Sequence, residues 1–181
     1  MLKGLDDFMA ESTDKGHVVG SWGFNSNLNF ARMKPQENNV WFFEQTFNFL
    51  RSFFGLVTPD SLELVTYNAT QKINKKNLDQ QTFLDHLMLQ LKKLKEPLWT
   101  LRLNLTIIGF LRKGWDPSNP IRIHIQEPAT FLVWGGPDET GFQTFSIGYT
   151  LFSSQMLDEA GTELWSMNQP LLEKALKKWE R

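Results

Sequence analysis

The strongest constraint on the fold is a strict alternation of apolar and polar residues over positions 99–107. The apolar positions are Trp99, Leu101, Leu103, Leu105 and Ile107, and the polar positions between them are Thr100, Arg102, Asn104 and Thr106. Successive side chains of a β-strand point to opposite faces, so this pattern predicts a strand with one buried and one solvent-facing side. Such a strand is typical of an antiparallel sheet that is covered on one face.

Other segments carry strand patterns and are bounded by turn residues. The predicted strands are residues 62–67, 121–126, 131–134 and 143–152. Nearer the start of the chain, residues 18–24 and 28–32 flank Asn25-Ser26-Asn27, whose asparagines tolerate the positive φ of a tight turn. This pattern predicts a short hairpin.

Three segments instead show the helical period. Residues 39–55 place Phe43, Phe47, Leu50 and Phe54 at i, i+4, i+7 and i+11, and Phe42, Phe49 and Phe53 widen this stripe. We expect this stripe to lie in the core, because aromatic rings supply much of a domain's apolar surface. Residues 78–94 form the clearest amphipathic helix, with Asn77 or Asp79 as its N-cap. A last helix is predicted to begin at Pro170, a residue that suits the first helical turn.

These elements predict an α+β fold. It consists of an antiparallel, meander-like sheet of about four to six strands with amphipathic helices packed on one face, as a two-layer sandwich. We expect residues 1–181 to form a single domain with a polar lead-in over residues 1–17. A chain of this length buries roughly 70% of the surface that it exposes when unfolded, so it needs no disulfide or metal to fold.

Charge and cysteine content exclude several classes of function. The 19 Lys and Arg residues nearly balance the 20 Asp and Glu residues, whereas a general nucleic-acid binder carries a basic excess. The sequence has no cysteine, which removes disulfides, thiolate metal sites and cysteine nucleophiles. No apolar segment is long enough for a signal peptide or a membrane span. We therefore expect a soluble, cytoplasmic protein that binds neither nucleic acid nor membrane.

No catalytic motif is found. The three histidines, His17, His86 and His124, share no metal-ligand spacing. Residues 145–148 lack the first glycine of a nucleophile elbow. Residues 135–139 contain acids and a proline where a phosphate loop needs a lysine and free backbone N–H groups. We expect no catalytic residue, no metal and no cofactor.

The polar side of the predicted sheet is the main candidate for a binding surface. Its candidate binding residues are Arg102, Asn104, Arg122, His124 and Gln126, with Trp115 and Trp134 as candidate interface aromatics. Guanidinium, imidazole and amide groups make directional hydrogen bonds to an anion or a partner, and tryptophan is enriched in interface hot spots. A polar open face is also the ordinary state of an antiparallel sheet, and the pattern alone does not separate these interpretations.

Two classes of function remain open. The first is a non-enzymatic protein-binding module of the accessory, inhibitor or immunity type, which uses this polar face on a protein partner or a second copy. The second is a small enzyme or ligand-binding protein with a pocket between sheet and helices. In that case Arg102 and Arg122 would orient a small anionic ligand and His124 would act as general base. A further hypothesis is a dimer seam along the last strand or along residues 62–67.

Overall fold

The computed structural model describes residues 20–26, 28–74, 79–113, 116–136, 140–148 and 159–180. Its strands are β1 (Gly20–Asn25), β2 (Val57–Thr66), β3 (Thr70–Asn74), β4 (Leu98–Lys113), β5 (Asp116–Trp134) and β6 (Phe142–Ile147), and its helices are α1 (Pro35–Ser52), α2 (Gln80–Lys93) and α3 (Glu159–Trp179). The described strands form one antiparallel sheet in the order β1-β6-β5-β4-β2-β3. The three described helices pack against it, which confirms the predicted α+β class.

The core lies between the helices and one face of the sheet. The buried apolar residues of all three helices and of the strands belong to a single cluster. At its centre the ring of Phe49 on α1 lies parallel to that of Phe131 on β5, with ring centroids 4.0 Å apart. Fully buried rings of this size give the largest apolar contribution that a side chain can make to stability.

The longest strands, β4 and β5, form a hairpin whose register changes part of the way along. Leu105 lies opposite Ala129, but Ile107 lies opposite Ile125. Three residues of β5, 126–128, therefore lie opposite the single residue Thr106 of β4. Pro128 falls inside this bulge, where its missing N–H costs no ladder hydrogen bond. The two predicted strands 121–126 and 131–134 are one continuous strand.

The predicted hairpin around Asn25-Ser26-Asn27 is wrong. β1 pairs with β6 instead, and residues Phe30–Arg32 form a 3-10 turn. The apolar residues of β1 pack on β6, where the ring of Trp22 stacks on that of Phe145 with centroids 6.0 Å apart. Phe30 is buried edge-on against Trp41, so the residues predicted as the second strand fill the core from outside the sheet.

The predicted apolar stripe of α1 is wrong in part. Leu50 is fully buried, but Phe47 is 37% exposed and Phe54, just past the helix, is 76% exposed. The residues that form the buried side are Trp41, Phe42, Phe49, Leu50 and Phe53. This segment has aromatic residues around most of the helix, so periodicity does not identify which of them meet the sheet.

The last helix begins earlier than predicted, because α3 starts at Glu159 and Pro170 lies inside it. Asn168 anchors this part of α3 to the sheet. Its Nδ2 donates to the carbonyl of Phe110 at 2.9 Å, and its Oδ1 accepts from the amide of Phe110 at 2.8 Å. The amide of Ile108 donates to Leu56 at 2.8 Å. The amide of Phe110, two residues along, points to the same side, where Asn168 takes the place of a neighbouring strand.

Both strands predicted as dimer seams are interior, so that hypothesis is wrong. β6 lies between β1 and β5, and β2 lies between β3 and β4. Their backbone groups are used by neighbours on both sides. The edges of the described sheet are β1 and β3, and the sequence analysis did not predict β3.

The predicted N-cap of α2 is confirmed at Asp79. Its Oδ1 accepts from the backbone N–H of Thr82 at 2.9 Å, and its Oδ2 accepts from the Thr82 hydroxyl at 2.6 Å. These two hydrogen bonds, the hydroxyl first, hold the pKa of the Asp79 carboxyl below its ordinary value of 3.8. An anion at this position also interacts favourably with the helix dipole.

Replacing the buried anchor of α3 should destabilise the fold. Asn168 is 0% exposed, so Asn168→Ala leaves two backbone groups of Phe110 without their partner. We expect a loss of about 2–4 kcal/mol in the free energy of unfolding, measured by urea denaturation with tryptophan fluorescence. The control, Lys174→Ala on the exposed side of α3, should change it by less than about 0.5 kcal/mol. Equal urea midpoints for Asn168→Ala and wild type would contradict this account.

The cap of α2 should make stability depend on pH. A carboxyl whose pKa is lowered by folding stabilises the folded state above its unfolded pKa, and this contribution disappears as pH falls through the lowered value. Asp79→Asn keeps the side-chain oxygen but cannot ionise. We expect wild type to unfold at higher urea concentration than Asp79→Asn at neutral pH, and the gap to close below pH 3.8. A gap that is independent of pH would show that ionisation of Asp79 does not contribute.

Candidate functional site

The sheet face opposite the helices, called the outer face below, consists of residues that alternate with the buried ones. Among its members are Glu63, Thr100, Arg102, Asn104, Thr130, Leu132, Trp134, Phe142 and Thr144. The described helices pack on the other side, in the common core cluster. Residues opposite each other on adjacent strands lie about 5 Å apart, so the strand register sets the neighbours on this face.

Arg102 lies on β4, an interior strand of the described sheet, and is exposed. Its cross-strand neighbours are Glu63 on β2 and Leu132 on β5. The carboxylate of Glu63 pairs with the Nζ of Lys72 at 3.4 Å. Within the described part of the chain, the guanidinium of Arg102 has no hydrogen-bond or ion-pair partner. Its five N–H donors are therefore available to an external acceptor.

Polar groups beside Arg102 are already paired with one another. Asn104 Nδ2 donates to the hydroxyl of Ser61 at 2.7 Å, and the hydroxyl of Thr106 donates to Asp60 at 2.6 Å. Farther across the sheet, Ser146 and Ser21 share a hydrogen bond of 3.0 Å. These pairs stabilise strand neighbours, which leaves the cation of Arg102 as the group best able to bind something else.

Aromatic rings flank Arg102 at one end of the outer face. Trp134 lies opposite Thr100, one row from Arg102, and it stacks on Phe142 with ring centroids 6.2 Å apart and planes inclined by 18°. At the same end of β4, Tyr67 is 73% exposed and meets Trp99 edge-on with centroids 5.3 Å apart. The exposed cation thus lies next to a broad aromatic surface.

Arg122 and His124 are exposed and lie on the same side of the sheet as Arg102, but far from it. His124 lies opposite Ile108, and Arg122 lies opposite Phe110. These partners follow Arg102 on β4 by six and eight residues, which corresponds to about 20 and 27 Å along the strand. The structure therefore does not bring the predicted cations together into one anion site.

Two of the predicted site residues cannot be placed. Trp115 and the side chain of Gln126 lie outside the described residues. The outer face also contains the apolar residues Leu132 and Phe142, which are not among the predicted site residues, and the exposed Tyr67 lies in the turn beside it. Phe142 precedes the predicted start of its strand by one residue, and the alternation around Leu132 was too short to assign a face.

Pockets in the described part of the chain lie away from the outer face. One cavity of about 20 Å³ lies between α2 and β2 and includes His86 in its lining, which is space for little more than a water molecule. A surface pocket of about 200 Å³ lies between the β2–β3 turn and the end of α2. Neither pocket contains any of the predicted site residues.

The larger pocket has a charged rim that supports the fold. Glu96 lies beside Lys93 and Lys95 there. Asn68 Nδ2 donates to Glu96 Oε1 at 2.6 Å, and this hydrogen bond, with a smaller contribution from Thr66, lowers the pKa of the Glu96 carboxyl. The ionised carboxylate therefore holds the β2–β3 turn against the segment that follows α2.

Removing the cation of the outer face should leave the fold intact. Arg102 has no partner among the described residues, so Arg102→Ala should change the free energy of unfolding by less than about 0.5 kcal/mol. The next residue, Leu103, is fully buried on the other face, and Leu103→Ala should cost about 2–5 kcal/mol. Urea denaturation measures both. A loss for Arg102→Ala comparable with that for Leu103→Ala would show that Arg102 serves the fold.

The described residues also limit the chemistry of the chain. They include no group of three or more histidine, aspartate or glutamate side chains that could hold a metal ion. No helix among them is long and apolar enough to cross a membrane. Comparison with known proteins gives no match to a family model, to a curated protein or to a solved structure. Any assignment of function therefore rests on the surface described above.

Proposed function

We propose that this chain is a non-enzymatic protein-binding module of the accessory, inhibitor or immunity type, and that the outer face is its docking surface. The observation that carries the proposal is the exposed guanidinium of Arg102 on the outer face, which has no hydrogen-bond or ion-pair partner among the described residues. A cytoplasmic location is part of the proposal and is supported by the absence of cysteine, which is typical of a reducing compartment.

The residue types around Arg102 support a protein partner. Arginine, tryptophan and tyrosine are the residues most enriched in binding hot spots. Here Trp134 lies one row from Arg102 on the outer face, and Tyr67 lies in the turn beside the same end of β4. All three project from a hydrogen-bonded sheet or the turn beside it, so little backbone entropy is lost when a partner binds.

The charges indicate what the partner should contribute. Glu63 is paired with Lys72, so the charge of Arg102 is the one that an incoming carboxylate would neutralise. An aspartate or glutamate can meet a guanidinium through two parallel hydrogen bonds. The stacked rings of Trp134 and Phe142 would bury an apolar side chain beside this pair.

The alternative of a small anionic ligand has less support. Arg102, Arg122 and His124 do not converge, and the described pockets contain none of them. Ligand pockets enclose most of a small molecule, and none of the described pockets is lined by these cations. Small-molecule binding at Arg102 would count against the protein-binding proposal.

A photo-crosslinking experiment can test the proposed surface. Benzoylphenylalanine in place of Thr144, on the outer face, should capture a discrete protein from a lysate of the source organism. The same probe in place of Gln81, on the exposed side of α2, should not capture it. The captured protein, purified, should bind Arg102→Ala at least about tenfold more weakly than wild type in isothermal titration calorimetry.

Matched charge variants make this result specific. Lys72→Ala removes the cation that lies in the same cross-strand row as Arg102. Because Lys72 is already paired with Glu63, we expect this variant to bind the partner less than about threefold more weakly than wild type. Arg122→Glu changes a cation on the same side of the sheet at a distance and should leave binding unchanged. Loss of binding with Arg122→Glu and its retention with Arg102→Glu would overturn the proposed site.

A further inference from the structure

The exposed side of α1 has an apolar stripe with a seven-residue repeat. Val40 is 51% exposed, Phe47 is 37% exposed, and Phe54, in the turn after the helix, is 76% exposed. Phe43 extends the stripe, since its ring stacks on that of Phe47 with centroids 6.2 Å apart. Within α1 the spacing of seven residues places Val40 and Phe47 on one side of the helix, as in helices that pair with another helix. Contiguous apolar surface of this kind is typical of an interaction site.

Opposite charges flank the stripe with the same spacing. Glu44 and Arg51 are both exposed and are seven residues apart. Among the described residues, neither side chain has an ion-pair partner. They lie three residues before and four residues after Phe47, and Val40 and Phe54 lie seven residues on either side of it. Glu44 and Arg51 therefore exchange places when the helix is reversed about the point midway between them, between Phe47 and Asn48.

The neighbouring helix carries the same kind of arrangement. Leu89 of α2 is 50% exposed, and the exposed residues Asp85 and Lys92 lie four residues before it and three after it. α2 runs antiparallel to α1, because Gln80 at its start contacts Val57 just past α1, whereas Glu96 beyond its end contacts Asn39 near the start of α1. The middle of α2 therefore lies beside the middle of α1.

We propose that the helix layer is the interface of a homodimer in which α1 packs antiparallel on α1 of a second copy, around a two-fold axis that passes between Phe47 and Asn48. In this arrangement Glu44 faces Arg51 of the second copy, and Asp85 faces Lys92 of the second copy. The apolar side chains of the stripe, chiefly Val40, Phe43 and Phe47, cover those of the second copy. A parallel pair would place Glu44 against Glu44 and Arg51 against Arg51, and this repulsion selects the antiparallel arrangement.

The proposed interface is isologous, since each copy contributes the same patch. It lies on the opposite side of the molecule from the outer face and does not depend on the proposed function. The dimer would leave both outer faces free, so that one dimer presents two docking surfaces.

Sedimentation equilibrium of the full chain tests the dimer. Wild type should show a monomer–dimer equilibrium in the micromolar range. Phe47→Asp should be monomeric over the same range while its circular dichroism matches wild type, because Phe47 is partly exposed. Wild type that stays monomeric throughout would overturn the proposal, as would a Phe47→Asp variant that is folded and dimerises like wild type.

Charge reversal tests the orientation of the two helices. Glu44→Arg makes both flanking positions positive, and Arg51→Glu makes both negative, so each variant alone should dimerise about tenfold more weakly than wild type. Mixing the two variants should restore dimers that contain one chain of each. The double variant in a single chain should dimerise like wild type, because the charges are exchanged and remain complementary.

The remaining outcomes are equally informative. Mixing that gives no heterodimer would overturn the antiparallel pairing even if each variant is weakened. Arg102→Glu serves as the matched control on the other side of the molecule and should leave the dimer unchanged. If Arg102→Glu abolishes the dimer while Phe47→Asp does not, copies associate through the outer face and the helix-layer interface is wrong.

Discussion

The ring of Phe49 contacts four other aromatic rings at once, and the arrangement of helices and strands depends on these contacts. Phe53, Phe131, Phe145 and Trp179 lie around it with ring centroids between 4.0 and 5.4 Å away. These residues come from α1, β5, β6 and α3, so one buried side chain connects two helices to two adjacent strands. The direction in which α1 presents Phe49 also decides which of its other aromatic residues face solvent.

The fold class could be predicted because it follows from local patterns. The alternation around Leu103 has a period that only a half-buried strand satisfies, and the cap at Asp79 is a contact between residues three apart. The partners of β1 and Phe30 could not be predicted in the same way. β1 pairs with residues more than a hundred positions away in the sequence, and Phe30 packs on a ring of α1 from outside the sheet. A two-residue period says which side of a strand is buried but not which element lies next to it.

The candidate surface was predictable to a similar extent. The alternation assigned Arg102 to the open side of its strand, and the register places it there. The spacing between Arg102 and Arg122 was not predictable, because it depends on the bulge at Pro128 and on how far the β4–β5 hairpin extends past β2. The exposed stripe of α1 is the converse case, since apolar residues that look like core in the sequence are placed outside by the rotation of the helix.

The side chain of Asn168 takes the place of a neighbouring strand along the part of β4 that extends past β2. Beyond the start of β2, β4 would otherwise present free backbone groups, and such an edge is a template for strands of other chains. The carboxamide of Asn168 presents an N–H and a C=O side by side to Phe110, as a neighbouring strand does, but a single side chain cannot extend a ladder for a further strand. When α3 docks on the sheet, Asn168 therefore protects this edge of β4 at the same time. Local opening of α3 would expose a surface prone to aggregation before the rest of the sheet unfolds.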